Sequence, residues 1–154
     1  MLEALGDLVE ELGEHLLTWR STNVVKPQST QHQLKTTADD RASEFLRQRL
    51  ATLDSSIPFV SEEDTASQSS ARPEKYWLVD PIDGTASYTG GFDGFVTQVA
   101  LMQNGSPSLA AIRAPALDET FLAEVGGGST CNGRQLKPPT STKLDVLIDN
   151  YPQP

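Results

Sequence analysis

The stretch "YWLVDPIDGT" (Tyr76–Thr85) decides how this chain is read. Four apolar or aromatic residues, Tyr76 to Val79, lead straight into Asp80, then Pro81, Ile82 and Asp83 beside Gly84. The continuous apolar run reads as a buried strand. A buried strand that runs into two carboxylates needs something to hold their charge. Pro81 stiffens the backbone between the acids. Asp80 and Asp83 can then turn to one side, leaving the carbonyl of Ile82 as a further oxygen donor. Gly84 lets the main chain approach an anion closely. A helix beginning at Thr85 would add free N–H groups at the same point.

Upstream, Leu2, Leu5, Leu8, Val9, Leu12, Leu16 and Leu17 recur at helical spacing and predict an amphipathic helix ending near Trp19. "RSTNVVKPQSTQHQLK" (20–35) lacks periodicity and reads as loop with at most a short extended piece. Thr36, Thr37 and Asp39 offer N-cap chemistry for a second helix, 39–53, with an apolar stripe of Ala42, Phe45, Leu46, Leu50 and Leu53. "IPFVSEED" (57–64) reads as a short strand ending in acids, and the Ser-rich 65–75 as a surface loop. Downstream, strands flank Asn104-Gly105, a hairpin signal. Another strand runs through "ETFLAEV", followed by three glycines and a turn at Asn132-Gly133. "LDVLID" (144–149) is a last strand-like run. The order predicts an α+β fold, two helices layered on a mostly antiparallel sheet. The domain is expected to cover 1–142. Residues 143–154 read as the start of a second, α/β unit, so the chain is expected to be the front part of a longer one.

Bulk properties exclude several roles. The 154 residues suffice for one domain with a sizeable core. A formal charge of -9 argues against binding a nucleic acid polymer through a basic face. No apolar run is long enough for a membrane span. The acidic amphipathic start lacks the features of a secretory signal, and the single Cys131 leaves no internal disulfide. A cytoplasmic location is expected.

Three acidic stations stand at predicted element ends: Asp39 in "TTADD", Glu62 and Glu63 in "SEED", and Asp80 with Asp83. If neighbouring strands carry them, their like charges converge at one rim, and a hard divalent cation would turn that repulsion into attraction. Each motif alone also has a plain reading. Asp-Gly is a common turn, and an acidic run is commonly a solvated loop.

Taken together, "TTADD", "VSEED", "YWLVDPIDGTASYTGGFDGFVTQVALMQNG" and the later glycine-rich hairpin resemble the inositol monophosphatase superfamily of metal-dependent phosphatases. The wording is most similar to the bacterial 3'(2'),5'-bisphosphate nucleotidase branch. The resemblance implies Glu62, Asp80, the Ile82 carbonyl and Asp83 as metal ligands, with Glu63 outside them. It implies Asp83, Gly84 and Thr85 as substrate-binding, through the phosphate-facing amides of Gly84 and Thr85. Asp39 and Thr85 match the catalytic pair that deprotonates the attacking water. The implied cofactor is two or three Mg²⁺ ions, with Mn²⁺ as a substitute and Li⁺ as an inhibitor. The implied activity is hydrolysis of a small phosphate ester, a bisphosphate nucleotide first and an inositol or sugar phosphate as the alternative. The family's C-terminal half, with a further metal-binding Asp in a "WD" motif, has no counterpart here. An inactive metal-binding or interaction module, able to self-associate through the strand edge at 144–149, is the reading from another class.

Overall fold

Leucines at helical spacing build the first layer. In the computed structural model, which describes residues 1–22, 27–30, 33–61, 63 and 72–138 (backbone only for 27–30 and 33–35), α1 spans Leu2–Ser21. It buries Leu5, Leu8, Val9, Leu12 and Leu16, and runs two residues past the expected end at Trp19. α2 spans Thr37–Leu53 and buries Ala42, Leu46 and Leu50 of the expected stripe, with Phe45 and Leu53 only partly covered. It starts before Asp39 because Thr36 is the cap.

Between the helices the sequence suggested mainly loop. The structure has a two-stranded antiparallel ribbon there, β1 (Pro27–Thr30) with β2 (Gln33–Thr36), in register Pro27 to Thr36. Pro27 takes the first strand position, where a missing N–H is tolerated. Lacking apolar alternation, such a ribbon leaves little trace in the sequence.

Among the described residues the main sheet has the order β3-β4-β5-β6-β7-β8-β9. β3 (Phe59–Ser61) pairs parallel with β4 (Lys75–Asp83). Every later pairing is antiparallel: β5 (Val96–Gln103), β6 (Ser106–Ala114), β7 (Glu119–Glu124), β8 (Gly128–Cys131) and β9 (Arg134–Gln135). The β5–β6 turn has positive φ at both Asn104 (50°) and Gly105 (77°), as a two-residue hairpin of matching twist requires. The sequence marked a turn at Asn132-Gly133 without the two short strands that it joins. The strand expected at 144–149, and the whole of 143–154, lie outside the described residues.

Strand alternation gives the sheet two unlike faces. Trp77, Val79 and Ile82 on β4, Val99 and Leu101 on β5, and Leu109 and Ala111 on β6 form the core with the helices. α1 lies across β5, β6 and β7, and α2 lies against β4. Two helical glycines let α1 sit close to the sheet. A Cβ at Gly13 would stand 2.9 Å from Cγ of Arg113, and one at Gly6 would stand 3.1 Å from Cδ1 of Leu122. The opposite, outer face carries Leu78, 40% exposed, with half-buried Ala100, Ala110, Ile112 and Phe121. On this outer face β4 exposes Leu78 but buries Tyr76, so it is less fully covered than its apolar run suggested.

α3 (Thr85–Gly90) docks on α1 through Tyr88, which is fully buried. The Tyr88 hydroxyl donates to the Leu16 carbonyl at 2.8 Å, and its ring meets Phe95 edge-on. Burial pushes the phenol up to about 12 from its ordinary 10.0; the Asp39 carboxylate adds to this and the Arg20 guanidinium opposes it. An unfolded tyrosine ionises near pH 10 whereas folded Tyr88 stays protonated. Its linkage is therefore silent below pH 10, and stability falls as pH rises from 10 toward 12. Phenolate absorbance should show one tyrosine ionising late, together with loss of the helical circular dichroism. A second expectation concerns Thr97, which is fully buried with no hydrogen-bond partner for its hydroxyl among the described residues. Thr97→Val should stabilise the fold by about 1–3 kcal/mol, read from urea unfolding at unchanged m-value.

Candidate active site

The site begins at the start of α2. Asp39 is the third residue of the helix and is 1% exposed. It closes a capping box: the Thr36 N–H donates to its Oδ2 at 2.7 Å, while the Thr36 hydroxyl accepts from Ala38 N–H. The same Thr36 hydroxyl donates to Oδ2 at 2.6 Å. With Oδ2 held this way, Oδ1 faces Thr85, whose hydroxyl lies 3.1 Å away. That hydroxyl is also 3.1 Å from the Ile82 carbonyl. It has one proton for two acceptors, so engaging the carbonyl elsewhere would direct the proton to Asp39.

The two acids of "DPID" are arranged by a bulge. Asp80 stands opposite Gln98 and Asp83 opposite Val96, so β4 carries one more residue than β5 between these pairs. In a regular strand, residues three apart face opposite sides. Here Asp80 shares a face with its cross-strand partner Gln98, and the Gln98 amide donates to Oδ2 of Asp83 at 2.5 Å. Both acids therefore stand on the outer side, while Ile82 points into the core at 1% exposure. Pro81 occupies the bulge, where a missing N–H breaks no regular ladder. β4 continues through both acids to Asp83, rather than stopping at Asp80.

Gly84 then turns the chain into α3. Its φ of +91° is left-handed, and a Cβ there would stand 2.7 Å from the Gly94 carbonyl oxygen. Any side chain there would be strained by the φ and would push on the Gly94 carbonyl. At six residues α3 is short, but its first turn exposes main-chain N–H groups beside Asp83. Gly90 and Gly91 end this helix. Gly91 is its left-handed C-cap, and Phe92 N–H donates to the Ser87 carbonyl. Arg20, at the end of α1, holds the following loop by donating to the Phe92 carbonyl at 3.0 Å and stacking over the Phe95 ring.

Asp39, Ile82 and Thr85 are thus brought together, and Asp80 and Asp83 share one side of the bulge. Glu62 lies outside the described residues. Glu63 is half-buried, with its N–H donating to the Ser61 hydroxyl. Among the described residues no three acidic, His or Cys side chains form a metal-binding group. The donors they do supply, two carboxylates and a main-chain carbonyl, are all hard oxygens suited to Mg²⁺ or Mn²⁺. Sequence reading missed Gln98. The signal was a polar residue on the half-buried face of an otherwise apolar strand, opposite Asp80. His15 of α1 stacks on Trp19 and meets Phe45 edge-on.

Two helices on one face of this sheet, with an acidic bulge at its rim, define an α+β layer. The chain belongs to the inositol monophosphatase family, whose sequence model matches residues 1–150. It is 31% identical over 131 residues to a 3'(2'),5'-bisphosphate nucleotidase of Aggregatibacter actinomycetemcomitans, covering 84% of this chain and 49% of that protein. An inositol-1-monophosphatase of Rhizobium meliloti is 34% identical over 100 residues, 65% of this chain and 37% of that one. The Thermotoga maritima IMPase structure superposes with a TM-score of 0.80 at 25% identity, covering 93% of this chain and 55% of that chain. The chain spans about half the length of the curated relatives that it matches.

Gly84→Ala should destabilise the fold by more than the roughly 1–2 kcal/mol of the left-handed backbone alone, because the Gly94 carbonyl must also move. The check is a chemical denaturation curve compared with Gly91→Ala, where the φ is also positive but nothing lies within 4 Å. Mg²⁺ binding to the native rim should raise the melting temperature progressively with concentration. A flat titration to millimolar Mg²⁺ would contradict a metal site here.

Proposed function

We propose that this chain carries the metal and phosphate side of a Mg²⁺-dependent phosphomonoesterase. The observation that carries this reading is the Asp39–Thr85 hydrogen bond beside the outward-turned Asp80 and Asp83. In this reading Asp80, Asp83, the Ile82 carbonyl and Glu62 hold the cations, and the main-chain N–H groups of Gly84 and Thr85 hold the phosphate. Bound Mg²⁺ would lower the pKa of a coordinated water and neutralise phosphate charge. Thr85 would accept a proton from the attacking water at its hydroxyl oxygen while donating its own toward Oδ1 of Asp39. Thr36 keeps the Asp39 carboxylate aimed at Thr85 throughout. Phosphorus would be attacked in line, and the ester oxygen would leave and take a proton from solvent to give the alcohol.

Among substrates, a 3'(2'),5'-bisphosphate nucleotide is favoured. Three of the relatives, one of them matched over 84% of this chain, bear the nucleotidase name. An inositol or sugar phosphate is the second reading, supported by the inositol monophosphatases among the relatives. We place the enzyme in the cytoplasm, in keeping with a single cysteine. Among the described residues no helix is long and apolar enough to cross a membrane. We assign 1–142 to this domain and 143–154 to the start of a second one. The apolar outer face beside Asp80, with an open groove of about 560 Å³, supports a further body packing there. Without that body the phosphate would meet bulk water, which screens and loosens the site, and the chain would self-associate.

The test is hydrolysis of 3'-phosphoadenosine 5'-phosphate and of inositol 1-phosphate by the purified chain with Mg²⁺. Turnover should be far below the usual median of about 10 s⁻¹, faster on the nucleotide, and reduced about 100-fold or more by Thr85→Val. Faster release from inositol 1-phosphate would exchange the two substrate readings. Release no greater than that of Thr85→Val on either ester would leave the inactive metal-binding module.

A further inference from the structure

We propose that Gln98 is a positioning residue whose side-chain amide fixes the Asp83 carboxylate for metal binding. The inference deepens the reading above and rests on it. Gln98 reaches Asp83 across the bulge: it stands opposite Asp80, yet its Nε2 lies 2.5 Å from Oδ2 of Asp83. Asp83 is exposed, and among the described residues this is the one hydrogen bond to its side chain. A short exposed carboxylate at a strand end samples several rotamers, and binding a cation would have to select one. The amide makes that selection beforehand. With Oδ2 engaged, Oδ1 is left for a cation, and Oδ2 keeps a second lone pair.

The residue type matters as much as the contact. An amide donates a hydrogen bond while leaving the negative charge of Asp83 intact. Lys or Arg at this place would donate too, but would compete with the cation for the same charge. Length matters as well. Asn is one methylene shorter and falls short of Asp83 from a position opposite Asp80. The backbone under Gln98 is regular β5, paired with Ile112 on its far side, so the amide is delivered from a rigid element. Groups that orient a metal ligand in this way change metal affinity by about 10–100-fold when lost.

The experiment is Mn²⁺ binding to the purified chain, followed by the electron paramagnetic resonance of free Mn²⁺, alongside metal-free melting temperatures. Wild type, Gln98→Met, Gln98→Asn and Asp83→Asn are compared. The expected result is Mn²⁺ affinity weakened about 10–100-fold in Gln98→Met and Gln98→Asn, with metal-free melting temperatures equal to wild type. Wild-type affinity in both Gln98 variants overturns the inference and leaves the metal reading standing. Weaker affinity that tracks a lowered metal-free melting temperature also overturns it, since the amide would then serve the fold. If wild type binds no Mn²⁺, or Asp83→Asn binds it equally well, the metal reading falls and the role of Gln98 falls with it.

Discussion

Between Asp80 and Asp83, β4 carries one residue more than β5, and the arrangement of the rim follows from that mismatch. Side chains on a strand alternate, so acids three apart would otherwise end on opposite faces, one of them in the core. The bulge turns both outward and sends Ile82 inward, where it packs with Trp77 and Val79. It also aims the Ile82 carbonyl at Thr85. Pro81 suits the place because it cannot donate to a ladder, and the ladder is already broken there.

The second support comes from the helix layer. Asp39 would be costly to bury as a lone carboxylate, yet it is 1% exposed. Its Oδ2 takes the Thr36 N–H and hydroxyl, both local to the start of α2, and its Oδ1 takes the Thr85 hydroxyl from 46 residues away. One side chain therefore caps a helix and joins that helix to the rim of the sheet. Tyr88 anchors the other side of the short α3 to α1, and Arg20 braces the loop that backs Gly84. The glycine at 84 is then fixed twice, by its left-handed φ and by the Gly94 carbonyl behind it.

The sheet's asymmetry separates stability from function. Its helix-covered face holds most of the large buried side chains, and its outer face holds the acids, Gln98 and a set of half-exposed apolar residues beside buried Tyr76 and Val60. Asp80 and Asp83 stand on the face away from the core, so of the three acids only the hydrogen-bonded Asp39 is buried. The outer face thus combines carboxylates with partly exposed apolar surface.

Much of this was written locally. Leucine spacing specified α1, Thr36 to Asp39 specified the start of α2, and Asn104-Gly105 specified the hairpin, because periodicity, caps and turns depend on neighbours along the chain. The motif "DPIDGT" likewise announced two acids, a close-approach glycine and a helix start. Only the tertiary structure decided that β4 runs through both acids, that Leu78 on its outer face is exposed, and that a polar ribbon precedes α2. It alone brought Gln98 to Asp83 and Thr85 to Asp39. Those outcomes depend on cross-strand register and on which element packs on which face. Both are set by contacts between residues distant in sequence, so no local pattern carries them.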